Sequence, residues 1–160
     1  METPVKSPPV PRQAPAPGSR QRSAVIGSLT IPGRPEEVRG TRAFIARTLA
    51  AAGKAGAVDS DAATLLTSEL VTNAIQHTAS GAPSGRVTIV VLDVPDGVLV
   101  EVTDEGSAGT PAVRGDLMAP DGHGLLLVQQ LAAQWGFLRA PGGTTVWFHL
   151  AGDEPAGAGA

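Results

Sequence analysis

The spacing of apolar positions changes along the chain, and each change marks the boundary of a predicted element. Five segments rich in β-branched or alternating residues predict strands: 24–31, 86–94, 98–103, 136–139 and 144–150. Three segments with helical spacing predict helices: 35–52, 60–78 and 124–135. Pro35 lies in the first turn of the first helix, and Asp59 is the predicted N-cap of the second.

Turn signals connect these elements. Pro95-Asp96-Gly97 and Pro141-Gly142-Gly143 lie between consecutive strands and predict two hairpins. Short turns favour antiparallel pairing, so we predict a two-layer α/β sandwich: a mixed, mostly antiparallel sheet covered on one face by about three helices. The predicted core residues of the first and third helices are Val38, Phe44, Ile45, Leu49, Leu125, Leu127, Val128, Leu131 and Trp135.

Composition sets the domain boundaries. Residues 1–22 contain six prolines and few large apolar side chains. Such a segment cannot bury enough surface to offset the entropy lost on ordering, so we expect a disordered arm. Residues 152–160 are rich in glycine and alanine, and we expect a flexible tail there. The folded domain is therefore predicted to span residues 23–151.

Bulk properties exclude several functional classes. The net charge of −3 argues against direct nucleic-acid binding, which depends on phosphate neutralisation by basic side chains. The absence of cysteine excludes disulfides and thiolate metal sites. No apolar run approaches the roughly 18 residues that indicate a membrane span, and the N-terminus lacks the apolar core of a secretory signal. We therefore expect a cytoplasmic protein without a membrane partner.

The second predicted helix carries a stripe of polar side chains. Glu69, Asn73 and His77 are spaced four residues apart, and at about 100° per residue they share a face with Leu66. Buried polar groups need partners, and a metal ion carrying a phosphorylated ligand is one candidate. The alternative is a Glu/Asn pair at the end of an exposed helix, with His77 as an ordinary histidine near a helix C-terminus.

Two further polar segments are weak signals when taken singly. Asp104 and Gly106 follow an apolar strand, where a carboxylate can accept a hydrogen bond from a base and a glycine allows close approach; the alternative is a common turn. Gly122, His123 and Gly124 open the third predicted helix, where free backbone N–H groups can bind an anion. The alternative there is a flexible helix entry with a solvated His123.

Taken together and in this order, the three segments resemble the Bergerat fold, the ATP-binding domain of the GHKL superfamily that includes gyrase, Hsp90 and histidine kinases. In that resemblance residues 69–77 are the N box, and residues 104–106 and 122–124 are the two glycine boxes. Residues 107–121 correspond to the ATP lid. Thr145 matches a threonine that supports the adenine-binding aspartate through hydrogen bonds and water.

Within that superfamily the sequence is most similar to stand-alone bacterial anti-sigma factor serine/threonine kinases. The resemblance implies that Glu69 is the general base, Asn73 ligates Mg²⁺ and Asp104 binds the adenine amino group of ATP. It also implies a nucleotide-binding role for the remaining motif residues, His77, Gly106, Gly122, His123, Gly124, Leu125 and Thr145. The implied partners are a sigma factor and an anti-anti-sigma protein of the STAS type, and homodimers are common in the group.

Other functions are compatible with the same residues. A non-catalytic interaction module could keep the ATP pocket as a switch, although binding alone does not require a base at Glu69. The catalytic half of a histidine kinase is a third reading, for which the chain supplies no phospho-accepting helical hairpin and His77 lies inside the pocket helix. A gyrase- or Hsp90-like ATPase would require a transducer domain.

Overall fold

The computed structural model describes residues 23–77, 85–105, 128 and 130–152. A 3₁₀ turn at Pro35–Glu37 precedes the first α-helix. Two α-helices lie wholly within the described ranges, α1 (Val38–Ala51) and α2 (Ser60–His77). The strands are β1 (Ala24–Pro32), β2 (Arg86–Val94), β3 (Gly97–Asp104), β4 (Gln134–Ala140) and β5 (Gly143–Ala151).

The five strands form one sheet in the order β1-β2-β3-β5-β4, and every neighbouring pair is antiparallel. Both hairpin predictions are confirmed: β2 joins β3 and β4 joins β5 through two-residue turns. The connection from β3 to β4 crosses β5, which separates the two strands. The predicted two-layer α/β sandwich is confirmed, with a sheet that is antiparallel throughout the described strands.

The core lies between the sheet and the two helices. Alternate residues of the central strands are fully buried, as expected when one sheet face is covered. On the helix side, Ile45 and Leu49 of α1 and Leu66 of α2 have no exposed surface. Val38 and Phe44, also predicted to face inward, are partly buried against this core. The strand residues that complete it are Val87, Ile89, Val91, Val98, Val100, Val102, Val146, Phe148 and Leu150.

The prediction that the third helix extends to Trp135 is wrong. Trp135, expected in that helix, lies in β4 opposite Phe148 of β5, and its side chain packs against the core from the sheet. Leu131, a predicted core residue, is 43% exposed, whereas Val128 is fully buried as predicted. Strand pairing with β5 takes the chain out of the helix before Gln134, which an apolar spacing pattern alone does not reveal. Residues 124–127 lie outside the described residues.

The described helices can also be compared with a membrane span. No helix within the described ranges combines the length and the apolar character of a segment that crosses a membrane.

Candidate functional site

Helix α2 supplies the first part of the candidate site. The Asp59 carboxylate accepts a hydrogen bond from the backbone N–H of Ala62 at 3.0 Å, which confirms Asp59 as the N-cap. Inside the helix, the hydroxyls of Thr64, Thr67 and Thr72 each donate to the carbonyl four residues earlier. These hydroxyls, including that of the fully buried Thr67, are therefore satisfied within the helix.

Glu69 and Asn73 lie at the margin of that packing face. Both side chains are half-buried, while Leu66 and Leu70 beside them are buried. Because α2 packs against β2 and β3, these two residues are not at the end of an exposed helix. His77 is the last residue of α2, and its side chain lies outside the described residues. An amide and a carboxylate are thus held at the edge of the interface between helix and sheet.

Asp104 supplies the second part, at the last position of β3. It is 8% exposed and lies on the sheet face covered by α2, since it follows the alternation of the buried residues Val98, Val100 and Val102. Its Oδ1 accepts a hydrogen bond from the backbone N–H of Thr144 at 3.3 Å. A buried carboxylate requires such donors, because leaving it unpaired is costly.

Gly143 makes room for the end of β3. A Cβ atom added at Gly143 would lie 2.1 Å from the carbonyl oxygen of Asp104, a distance no side chain can adopt. The start of β5 can therefore run beside Asp104 only because residue 143 lacks a side chain. This glycine was assigned only to a turn from the sequence, and its second role depends on a contact between strands.

The structure places Thr145 beside Thr103, and its implied support of the adenine-binding aspartate remains a prediction. The two residues pair, and their hydroxyl oxygens are 2.8 Å apart on the sheet face away from the helices. The residue directly opposite Asp104 is Thr144. Because side chains alternate between faces, a shift of one residue moves the threonine to the other side of the sheet. Alternation along β5 could have shown this, since residues 144, 146, 148 and 150 share a face.

The other predicted site residues cannot be placed. Gly106, Gly122, His123, Gly124 and Leu125, together with the predicted lid at 107–121, lie outside the described residues. Their assignment to phosphate binding remains a prediction.

The donor set in the described part fits a nucleotide-borne magnesium ion. Within the described ranges, no group of three or more His, Cys, Asp or Glu side chains could form an all-protein metal site. Mg²⁺ needs only one or two protein ligands when phosphates and water supply the others, and the amide oxygen of Asn73 would supply one. If a nucleotide binds here, the Asp104 carboxylate is the group that would accept a hydrogen bond from the amino group of its base.

Comparison with known proteins agrees with this geometry. The sequence profile of the histidine kinase-like ATPase domain family matches residues 31–150. Among curated proteins, none matches the chain significantly. A solved structure with the same fold is that of the RsbU and RsbW domains of Rv1364c from Mycobacterium tuberculosis, with a TM-score of 0.57 and 23% identity. The match covers 80% of this chain and 33% of that protein, so this chain corresponds to about a third of it.

Proposed function

Because this chain belongs to the histidine kinase-like ATPase domain family, we propose that it binds Mg²⁺–ATP and phosphorylates a serine or threonine of a protein partner. The observation that carries the proposal is the pairing of Glu69 with Asn73 one helical turn apart, both half-buried on α2. Asn73 alone would serve to hold the metal. A carboxylate beside it is needed only if a proton must be removed.

The proposed reaction is in-line transfer of the γ-phosphoryl group. Asp104 accepts a hydrogen bond from the adenine amino group, and Asn73 holds Mg²⁺ on the phosphates. The partner's hydroxyl oxygen forms the new bond to the γ-phosphorus while the bond to the bridging oxygen of ADP breaks. Glu69 takes the hydroxyl proton, and catalysis depends mainly on positioning and charge neutralisation. The reaction would take place in the cytoplasm, where ATP is available.

The partners we propose are an anti-anti-sigma protein of the STAS type as phosphate acceptor and a sigma factor as the sequestered ligand. Two findings support this choice: the motif wording of residues 69–77 and 122–128, and the fold shared with a structure that contains an RsbW domain. We propose a homodimer as the form that binds the sigma factor.

The decisive experiment is incubation of the full chain with Mg²⁺ and ATP labelled on the γ-phosphate, in the presence of STAS-type proteins encoded by the same genome. The expected result is label on a serine or threonine of one STAS protein, and no label when Glu69→Ala replaces the wild-type chain. ATP binding without transfer to any STAS protein would instead identify a non-catalytic module. Transfer to histidine would place the chain with the histidine kinases.

A further inference from the structure

The helix-covered face of the sheet changes from apolar to polar at one end. Two successive rows of side chains across β3, β5 and β4 are apolar and belong to the core or pack against it: Val100, Phe148 and Trp135, then Val102, Val146 and Phe137. The next row, here called the terminal row, consists of Asp104, Thr144 and Arg139. The covered face therefore ends in a carboxylate, a hydroxyl and a guanidinium.

Arg139 lies on the same face as Asp104. It is in register with Thr144, which is in turn in register with Asp104. Side chains alternate along a strand, and Phe137, two residues before Arg139, packs against the core. The guanidinium carbon of Arg139 lies 5.7 Å from the centroid of the Phe137 ring, which is within the range of a cation–π contact. This contact restrains an otherwise exposed side chain on the helix side of the sheet.

Arg139 differs in its face from the other basic residue of the strands. The five described strands contain two lysine or arginine residues, Arg86 at the start of β2 and Arg139. Arg86 also lies at the end of the sheet where Asp104 is found, because β2 runs antiparallel to β3. Arg86 precedes the fully buried Val87, however, so its side chain lies on the opposite face. Within the described strands, Arg139 is therefore the basic side chain that shares a face with Asp104.

A nucleotide would bring further negative charge to a site that already contains carboxylates. Glu69 is half-buried and Asp104 is buried, and the chain as a whole has a net charge of −3. Mg²⁺ offsets part of the charge of a triphosphate, and enzymes that transfer phosphoryl groups use lysine or arginine side chains to offset more of it. Arginine suits this role because its planar guanidinium can donate two parallel hydrogen bonds to phosphate oxygens.

The length of the terminal row matches the two ends of one nucleotide. Neighbouring strands lie about 4.8 Å apart, so two strand spacings separate the Cα atoms of Asp104 and Arg139 by roughly 10 Å. The base and the phosphates of a nucleotide are separated by a distance of the same order. A base whose amino group donates to Asp104 can therefore have its phosphates within reach of the guanidinium.

We propose, on the basis of the ATP site proposed above, that Arg139 binds the phosphate groups of the nucleotide. Asp104 then recognises the amino group of the base, and Arg139 recognises the anion. Thr144 lies between them and holds Asp104 through its backbone N–H. The ligand class of the site is accordingly a phosphorylated adenine nucleotide, and adenosine forms only one of the two contacts.

The test compares Arg139→Gln with the wild-type full chain. NMR titrations of both proteins with Mg²⁺–ATP and with adenosine, each extended to millimolar ligand, give the dissociation constants. We expect the substitution to raise the Kd for Mg²⁺–ATP by about 10- to 100-fold, as for loss of a hydrogen bond to a charged group, and to leave the Kd for adenosine unchanged. An unchanged Kd for ATP would overturn the proposal. An equal loss for both ligands would also overturn it, because Arg139 would then act through Asp104.

The salt dependence of ATP binding gives a second readout. Added salt screens a contact between two charges, so the Kd for Mg²⁺–ATP should rise less steeply with salt in Arg139→Gln than in wild type. Identical salt dependence in the two proteins would contradict a contact between Arg139 and phosphate.

Arg86→Gln is the matched control. It removes the same charge at the same end of the sheet but on the opposite face, so its ATP affinity should equal that of wild type. An equal loss in the two variants would assign the effect to net charge and contradict the proposal. Failure of the wild-type chain to bind ATP would overturn the proposed function together with this inference, whereas wild-type affinity in Arg139→Gln would overturn the role of Arg139 alone.

Discussion

The backbone N–H of Thr144 donates a hydrogen bond to Oδ1 of Asp104, across the last residue pair that joins β3 to β5. The donor belongs to the main chain, so the contact is fixed by strand register and does not depend on the side chain at position 144. The aspartate proposed to recognise adenine is therefore held in place by the sheet itself.

Asp104→Asn is expected to abolish detectable ATP binding while the fold is kept. The amide has the same shape as the carboxylate but presents one acceptor oxygen, and that oxygen already faces the Thr144 amide. Calorimetric titration with Mg²⁺–ATP measures the effect. Glu101→Gln is the matched control, because it makes the same change on the same strand but on the sheet face away from the helices, and its ATP affinity should equal that of wild type.

Gly143→Ala should reduce both stability and ATP affinity. The added Cβ would lie 2.1 Å from the Asp104 carbonyl oxygen, so the start of β5 must move away from β3. We expect a loss of about 1–3 kcal/mol in the free energy of unfolding, as for overpacking elsewhere. Chemical denaturation provides the measurement.

The control for this glycine is Gly40→Ala in α1, where an added Cβ meets nothing within 4 Å. Alanine is the better helix former, so Gly40→Ala should stabilise the chain by up to about 1 kcal/mol. If both substitutions changed stability in the same direction, the close approach at Gly143 would not be the cause.

Thr145→Val separates the two roles considered for this threonine. It removes the hydroxyl contact with Thr103 while preserving side-chain shape, and should lower the free energy of unfolding by about 1 kcal/mol. Because Thr145 lies on the sheet face away from Asp104, ATP affinity should not change. A clear drop in ATP affinity, measured by the same titration, would restore Thr145 to the nucleotide site.

Asn73→Ala and Glu69→Ala should have different effects. Loss of the Asn73 amide is expected to abolish Mg²⁺-dependent ATP binding, whereas loss of the Glu69 carboxylate should preserve binding and abolish phosphoryl transfer. Asp61→Ala, in the exposed first turn of the same helix, is the control and should retain both. Wild-type transfer by Glu69→Ala would show that Glu69 is not the general base.

Leu66→Ala should be among the most destabilising single substitutions in α2. Leu66 is fully buried between helix and sheet, and truncation of such a leucine costs about 2–5 kcal/mol. The adjacent Leu65 is 38% exposed, so Leu65→Ala should cost well under half as much. Thermal or urea unfolding of the two variants compares them, and similar losses would mean that α2 is rotated relative to the sheet.

Local patterns in the sequence determined most of the fold. The bounds of β2, the start of α2 with its Asp59 cap, and the two hairpins follow from features within a few residues of each position: alternation, helical spacing, and turn residues such as Gly97. Apolar spacing also identified Ile45 and Leu49 as core. These properties depend on short-range sterics and hydrogen bonds, which the neighbouring residues specify.

Only the tertiary structure decided which residues meet. Trp135 belongs to a strand because it pairs with Phe148 of β5, which lies beyond the next turn. Likewise, Thr144 and not Thr145 faces Asp104, because the register between strands 40 residues apart in sequence fixes the side of the sheet on which each threonine lies. Side chains alternate between the two faces along a strand, so a shift of one residue in the pairing would exchange the faces on which the two threonines lie. The register that fixes their faces is set by pairing between strands that are distant in sequence.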